Sequence, residues 1–165
     1  MNHRAYLLLG SNLGDRSDHL VQAGKHIAST VGSIINQSPV YETEPWGVED
    51  QPDYLNQALM IETMFSPEKL FETLKQIERK EGRIQPEKYQ PRTLDIDILL
   101  YDDLILKTKK LIIPHPKLHL RKFVLVPLNE IAQEMEHPQF NKTIGQLLDD
   151  CNDLLMVRKY GLNRN

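Results

Sequence analysis

Asp95 and Asp97 stand two residues apart in an otherwise apolar run, LDIDILLY, directly behind a basic, proline-bearing stretch that ends at Arg92. From Arg79 to Arg92 there are five Lys or Arg against two Glu, whereas Asp95 to Asp103 holds four Asp and no positive charge. Alternate side chains of a strand share a face, so the two carboxylates would project together, about 6 to 7 Å apart, leaving Leu94, Ile96, Ile98 and Leu100 for a core. Such a pair binds hard cations, and neighbouring cationic side chains hold the polyphosphate those cations accompany. The planar fork of donors on Arg92 suits phosphate oxygens, and Pro91 fixes its own φ and biases Gln90 toward extended backbone. A solvated strand face would also carry alternate aspartates. The flanking guanidinium favours the handling of a magnesium nucleotide instead.

These groups need a framework, and the hydrophobic spacing supplies one. Tyr6 to Leu9 reads as a short apolar strand, followed by a turn through Gly10-Ser11-Asn12 and Gly14-Asp15. A helix follows, with Leu20, Ala23, Ile27 and Val31 at helical spacing and Gly32 as its end. The glycines at 10 and 14 make no Walker loop, since no Gly-Lys-Ser/Thr follows, and that turn reads as structural. Ser33 to Glu44 and Tyr54 to Phe65 read as strands joined by the irregular segment from Pro45 to Asp53. Ser66-Pro67-Glu68 opens a second helix with a capping serine, a proline at the first position and an acid in the first turn. Its inner face is Leu70, Leu74 and Ile77, and Gly82 ends it. Thr93 to Tyr101 is the next strand, and Leu104 to Ile113 holds an outer hairpin. Short helices are expected around Leu128 to Ala132 and Ile144 to Leu155. The order is that of an α+β, ferredoxin-like βαββαβ sandwich, here with an added outer hairpin and C-terminal helices.

Composition bounds the rest. With 165 residues, 40% hydrophobic and 26% charged, residues 1–165 make one globular domain large enough for a proper core. A net charge of −3 argues against a nucleic-acid-binding surface but is compatible with a local basic site. Cys151, the single cysteine, has no partner for an internal disulfide and reads as a half-buried helix thiol, so a reducing cytoplasm is the expected compartment. No signal-peptide pattern and no apolar run of membrane-spanning length is present.

Several stretches together resemble one family. PRTLDIDILLY, from Pro91 to Tyr101, is similar to the signature of the 6-hydroxymethyl-7,8-dihydropterin pyrophosphokinases. So, in order, are YLLLGSNLGDR from Tyr6, SPVYETEPWG with DQPDYLNQA, IERKEGR from Ile77 and IPHPKLHLRKFVLVPL from Ile113. The resemblance covers roughly residues 5 to 135, and it implies diphosphate transfer from ATP to a pterin alcohol in folate biosynthesis. It further implies Asp95 and Asp97 as ligands of two Mg²⁺ ions, with Arg83 and Arg92 catalytic on the phosphates. Lys88, Lys110, Ile98, His115, Arg121 and Glu78 fall at or near the family's ATP side. Tyr54 and Phe123 match the two positions that sandwich the pterin, Asn56 pairs with its polar edge, and Thr43, Glu44 and Trp46 lie in the segment completing that recognition. A planar bicycle does call for aromatic faces and an amide at its edge. Substrates would be small molecules, and the chain a monomer.

From the residues alone, alternatives stay open. Glu78 beside Arg79 and Lys80 reads equally as a solvated helix-end cluster, His115 between two prolines as a turn histidine, and each aromatic as core. The chain departs from the family pattern at Gln85, Tyr89 and Gln90, and its loop between Arg83 and Arg92 is one residue shorter than in some members. These departures bear on ATP affinity and loop closure rather than on reaction class. Residues 83–90 and 45–53 are expected to close over bound substrates. The competing reading is a non-catalytic ferredoxin-like module that binds or senses a small ligand.

Overall fold

Strict alternation in β1 (His3–Ser11) sends Ala5, Leu7 and Leu9 into one hydrophobic core and Tyr6 and Leu8 into another. A strand with apolar residues on both faces must lie inside a sheet covered on both sides. In the computed structural model, which describes residues 2–45, 51–82 and 93–161, that is where β1 lies. It pairs antiparallel with β4 (Tyr54–Thr63) on one side and with β5 (Asp95–Tyr101) on the other. β2 (Gly32–Gln37) and β3 (Tyr41–Thr43) both pair antiparallel with β4, and β8 (Val157–Lys159) adds to β3. The strand order is β5-β1-β4-β3-β8, with β2 beside β3 on the same neighbour. The short β6 (Leu106–Lys107) and β7 (Ile112–Ile113) form a separate antiparallel pair.

Helix α1 (Arg16–Thr30) buries Leu20, Ala23 and Ile27, and α2 (Pro67–Lys80) buries Leu70, Leu74 and Ile77, against the Ala5–Leu7–Leu9 face. On the opposite face α3 (Lys122–Ala132) and α4 (Ile144–Asp150) cover Tyr6, Leu8 and Ala58. The signals read at the start of α2 operate, since the Ser66 side chain accepts from the Lys69 amide at 3.2 Å and Pro67 occupies the first turn.

Five local expectations differ from what forms. The strand expected over Ser33 to Glu44 is broken into β2 and β3, because Ser38 and Pro39 interrupt it. Ser38 bonds through its backbone and hydroxyl to Ala58, and Pro39 has no N–H to offer a ladder. Gly32 does not end α1 but begins β2, where a Cβ would stand 2.0 Å from the Glu62 carbonyl oxygen. Leu100 does not share the face of Ile96 and Ile98. A register shift opposite Tyr6 and Leu7 reverses the phase after Leu99, so that Leu100 joins Leu99 on the α3 side. Helix α3 starts at Lys122 rather than near Leu128, since burial of Val124, Leu125 and Leu128 outweighs the amide lost at Pro127. Helix α4 in turn stops at Asp150, with Cys151 as its half-buried cap, and Leu154 beyond it is 96% exposed.

Candidate active site

The aspartates sit on the edge strand. Asp95 lies opposite Gly10 of β1, and Gly10 lies opposite Asn56 of β4, so the three share one face in a row across adjacent strands. Asp97 lies opposite Leu8 on the same face, one step toward the α3–α4 core. Both carboxylates are half-buried, whereas Asn56 and Thr43 are each 2% exposed. The Asn56 amide donates to the Thr43 hydroxyl at 3.3 Å, which fixes its orientation with the oxygen over Gly10. A Cβ on Gly10 would stand 3.0 Å from that oxygen and 3.6 Å from Cδ1 of the Tyr54 ring. Gly10 is therefore the floor of the site and belongs to β1, not to the turn expected from Gly10-Ser11-Asn12. An isolated glycine inside an apolar strand marks such a close approach, and that signal was available.

Glu78 is neither solvated nor part of a surface cluster. At 2% exposure it accepts from Lys75 Nζ at 3.0 and 3.2 Å and from the Ile96 backbone N–H at 3.0 Å. Its carboxylate thus anchors the backbone between the two aspartates to the end of α2. Ile98, on the face opposite Asp97, is 5% exposed with its side chain in the α1–α2 core.

His115 follows the cis Ile113–Pro114 bond and is tied to the edge strand by its own N–H, which donates to the Leu99 carbonyl at 3.0 Å. Its Nδ1 accepts from the Lys117 amide at 3.2 Å, leaving the proton on Nε2. Burial lowers its pKa to about 4; the Arg121 guanidinium presses in the same direction, against the pull of Asp95, and Lys117 adds a little more. At neutral pH it is an uncharged donor. The same electrostatic contacts bring Arg121, His115 and Asp95 into one neighbourhood. The Arg121 guanidinium also lies 5.5 Å from the ring centre of Phe123, in the first turn of α3. Burial raises the pKa of Tyr41, as do its hydrogen bond to Glu130 of α3 and that carboxylate's charge, and the contact joins β3 to the helix bearing Phe123.

Tyr54, Asn56, Thr43, Asp95, Asp97, His115, Arg121 and Phe123 thus gather at the Gly10 end of one sheet face and the start of α3. Glu44 is exposed just past β3, and Lys110 is exposed in the turn between β6 and β7. Trp46, Arg83, Lys88 and Arg92, with Gln85, Tyr89 and Gln90, lie outside the described residues, as does most of what was expected to close over substrates.

Residues 6–133 match the family model described as 7,8-dihydro-6-hydroxymethylpterin-pyrophosphokinase (HPPK). The chain is similar to the 2-amino-4-hydroxy-6-hydroxymethyldihydropteridine pyrophosphokinase of Bacillus subtilis, being 46% identical over 140 residues that cover 82% of each. It is 40% identical over 155 residues to the protein of that name from Haemophilus influenzae, covering 93% of this chain and 96% of that one. Among solved structures, wild-type Plasmodium falciparum HPPK-DHPS with pteroate matches at a TM-score of 0.73 and 18% identity. That match covers 91% of this chain and 42% of the other, so this chain spans under half of its length. At such identity the likeness concerns the fold alone.

Proposed function

The chain belongs to the 7,8-dihydro-6-hydroxymethylpterin-pyrophosphokinase family, and from that membership we propose how its own residues carry the reaction. It is a pyrophosphokinase of folate biosynthesis. The reaction moves diphosphate from ATP to the hydroxymethyl group of 6-hydroxymethyl-7,8-dihydropterin. The alcohol oxygen gives up its proton to solvent and bonds to the β-phosphorus, the bond from that phosphorus to the α,β-bridging oxygen breaks, and AMP leaves with that oxygen. Little covalent chemistry falls to the protein, so positioning, charge and exclusion of water are its tasks.

The row Asp95–Gly10–Asn56 carries the reading. Two strand spacings separate Asp95 from Asn56, about 10 Å, a span that suits a pterin edge at one end and phosphates at the other. In this reading Asn56, oriented by Thr43, pairs with the polar edge of the pterin, and Tyr54 and Phe123 flank its faces above the bare floor at Gly10. The segment with Glu44 and Trp46 completes the edge. Arg121 and the Nε2–H of His115 face the phosphates from the far side of Asp95. Lys110 and the basic stretch with Arg83, Lys88 and Arg92 contribute further positive charge. Glu78 acts at one remove, by holding the backbone between the aspartates.

Asp95 and Asp97 fit Mg²⁺ in donor type. Among the described residues no third His, Cys, Asp or Glu joins them. Two carboxylates leave most of the coordination to phosphate and water oxygens, as this ion prefers. Mg²⁺, expected as two ions, neutralises charge on the triphosphate when bound. The strand order and the helix pair on one face support a ferredoxin-like sandwich extended by the β6–β7 hairpin and C-terminal helices. We read the chain as one domain acting as a cytoplasmic monomer on small substrates.

The test follows AMP formation with MgATP and the pterin alcohol. Asp95→Ala and Asp97→Ala should each lower the rate by on the order of 10² while unfolding stays cooperative. Near-normal rates in both variants at saturating Mg²⁺ would sink the assignment. Tight binding of both ligands by the unmodified chain without AMP release would favour the non-catalytic module.

A further inference from the structure

The C-terminal segment from Cys151 to Tyr160 lies beyond the stretch matched by the family model, and it touches both walls of the proposed pterin slot. At one wall, the Asp153 carboxylate accepts from the Lys122 backbone N–H at 3.0 Å and, through its other oxygen, from the Leu155 amide at 3.0 Å. Lys122 is the first residue of α3, whose N-cap, Arg121, makes no capping bond through its side chain. Asp153 thus caps from a distance the helix start that carries Phe123, with its charge at the favourable end of the helix dipole.

At the other wall, Arg158 of β8 approaches both Glu42 and Asp53 at 3.4 Å. Arg16, at the start of α1, donates through one nitrogen to Glu42 at 2.8 Å and to the Asp53 carbonyl at 2.9 Å. Its guanidinium lies 5.8 Å from the ring centre of Tyr160. Burial opposes the charge on Glu42, yet Arg16 and Arg158 together hold its carboxyl below the usual range. Asp53 immediately precedes Tyr54, and the neighbouring Pro52 carbonyl accepts from Asn12 at 3.1 Å.

We propose that the C-terminal segment is a brace that positions the pterin slot, with Asp153 setting the start of α3 beneath Phe123 and Arg16, clamped by Glu42 and the β8 end, setting Asp53 before Tyr54. The inference rests on the pterin reading of Tyr54 and Phe123. Arg16 is the stronger element. Its charge-assisted bonds are short and its side chain is 24% exposed, while Arg158 is 54% exposed at longer range. None of these residues lies in the row that holds the metal-type carboxylates, so a fault in the brace should reach the pterin and spare the nucleotide.

Calorimetry on the full chain with Mg²⁺ tests this, first with a non-hydrolysable ATP analogue and then with the pterin alcohol. Arg16→Gln should raise the pterin dissociation constant roughly tenfold and Asp153→Ala roughly threefold, with analogue affinity unchanged within twofold. Asp153→Asn, which keeps an acceptor for the Lys122 amide, should restore most of the loss. If Arg16→Gln no longer unfolds cooperatively, the exposed Arg158→Gln takes its place with an effect of roughly twofold to threefold. Unchanged pterin affinity in the folded Arg16 or Arg158 variant and in Asp153→Ala overturns the brace, as does a parallel loss of analogue affinity. An unmodified chain that binds the analogue but no pterin overturns the slot assignment itself, and the brace with it.

Discussion

At the scale of single residues, the absence of a side chain at Gly10 matters as much as any functional group present. Interiors are packed tightly enough that one added methyl is felt. In Gly10→Ala the new Cβ would meet the Asn56 oxygen at 3.0 Å, and Thr43 holds that amide from its other end. The side chains must shift apart, at a cost of about 1 to 2 kcal/mol in the complex with pterin. Isothermal titration should therefore show pterin binding weakened by roughly tenfold, with the nucleotide analogue bound as before. Equal weakening of both ligands would mean that the floor belongs to the whole site and not to the pterin end.

Among elements, the join between α2 and β5 sets where the aspartates stand. An edge strand has one unpaired side, and β5 uses part of it to give the Ile96 N–H to Glu78. Removing that carboxylate leaves a buried donor unpaired and takes the partner from Lys75. Glu78→Ala should lower stability by about 2 kcal/mol in guanidinium unfolding and also depress kcat, because the backbone between Asp95 and Asp97 loses its anchor. Glu78→Gln keeps an acceptor for Ile96 and should recover most of the stability. A wild-type rate in Glu78→Ala would show that β1 pairing alone holds the carboxylates in place.

For the whole molecule, pH acts through histidines that folding keeps neutral. His137, 2% exposed and stacked on Phe140 at 4.2 Å between ring centres, has its pKa lowered from 6.5 to about 4 by burial, with nearby His119 adding to the effect. The unfolded chain takes up that proton near pH 6.5 and the folded chain does not, so stability is complete above 6.5 and drains away as pH falls toward 4. His115 works in the same direction. His137→Asn offers an acceptor to the Gln139 amide but does not titrate. Its unfolding free energy should fall less between pH 7 and pH 5 than that of the unmodified chain, and an equal fall would place the acid sensitivity elsewhere. Local pattern carried much of this architecture: the capped start of α2, the buried faces of α1 and α2, and the shared face of Asp95 and Asp97 all follow from interactions within a few residues. The bulge that turned Leu100, the survival of α3 across Pro127, and β8 did not, because each is stabilised by contacts between segments distant in sequence. The site divides along the same line. Residue types and spacing marked the carboxylate pair, whereas the alignment of Gly10 with Asn56 and Asp95, the burial of Glu78 and the placement of Ile98 depended on strand register and helix docking, which only the folded chain decides.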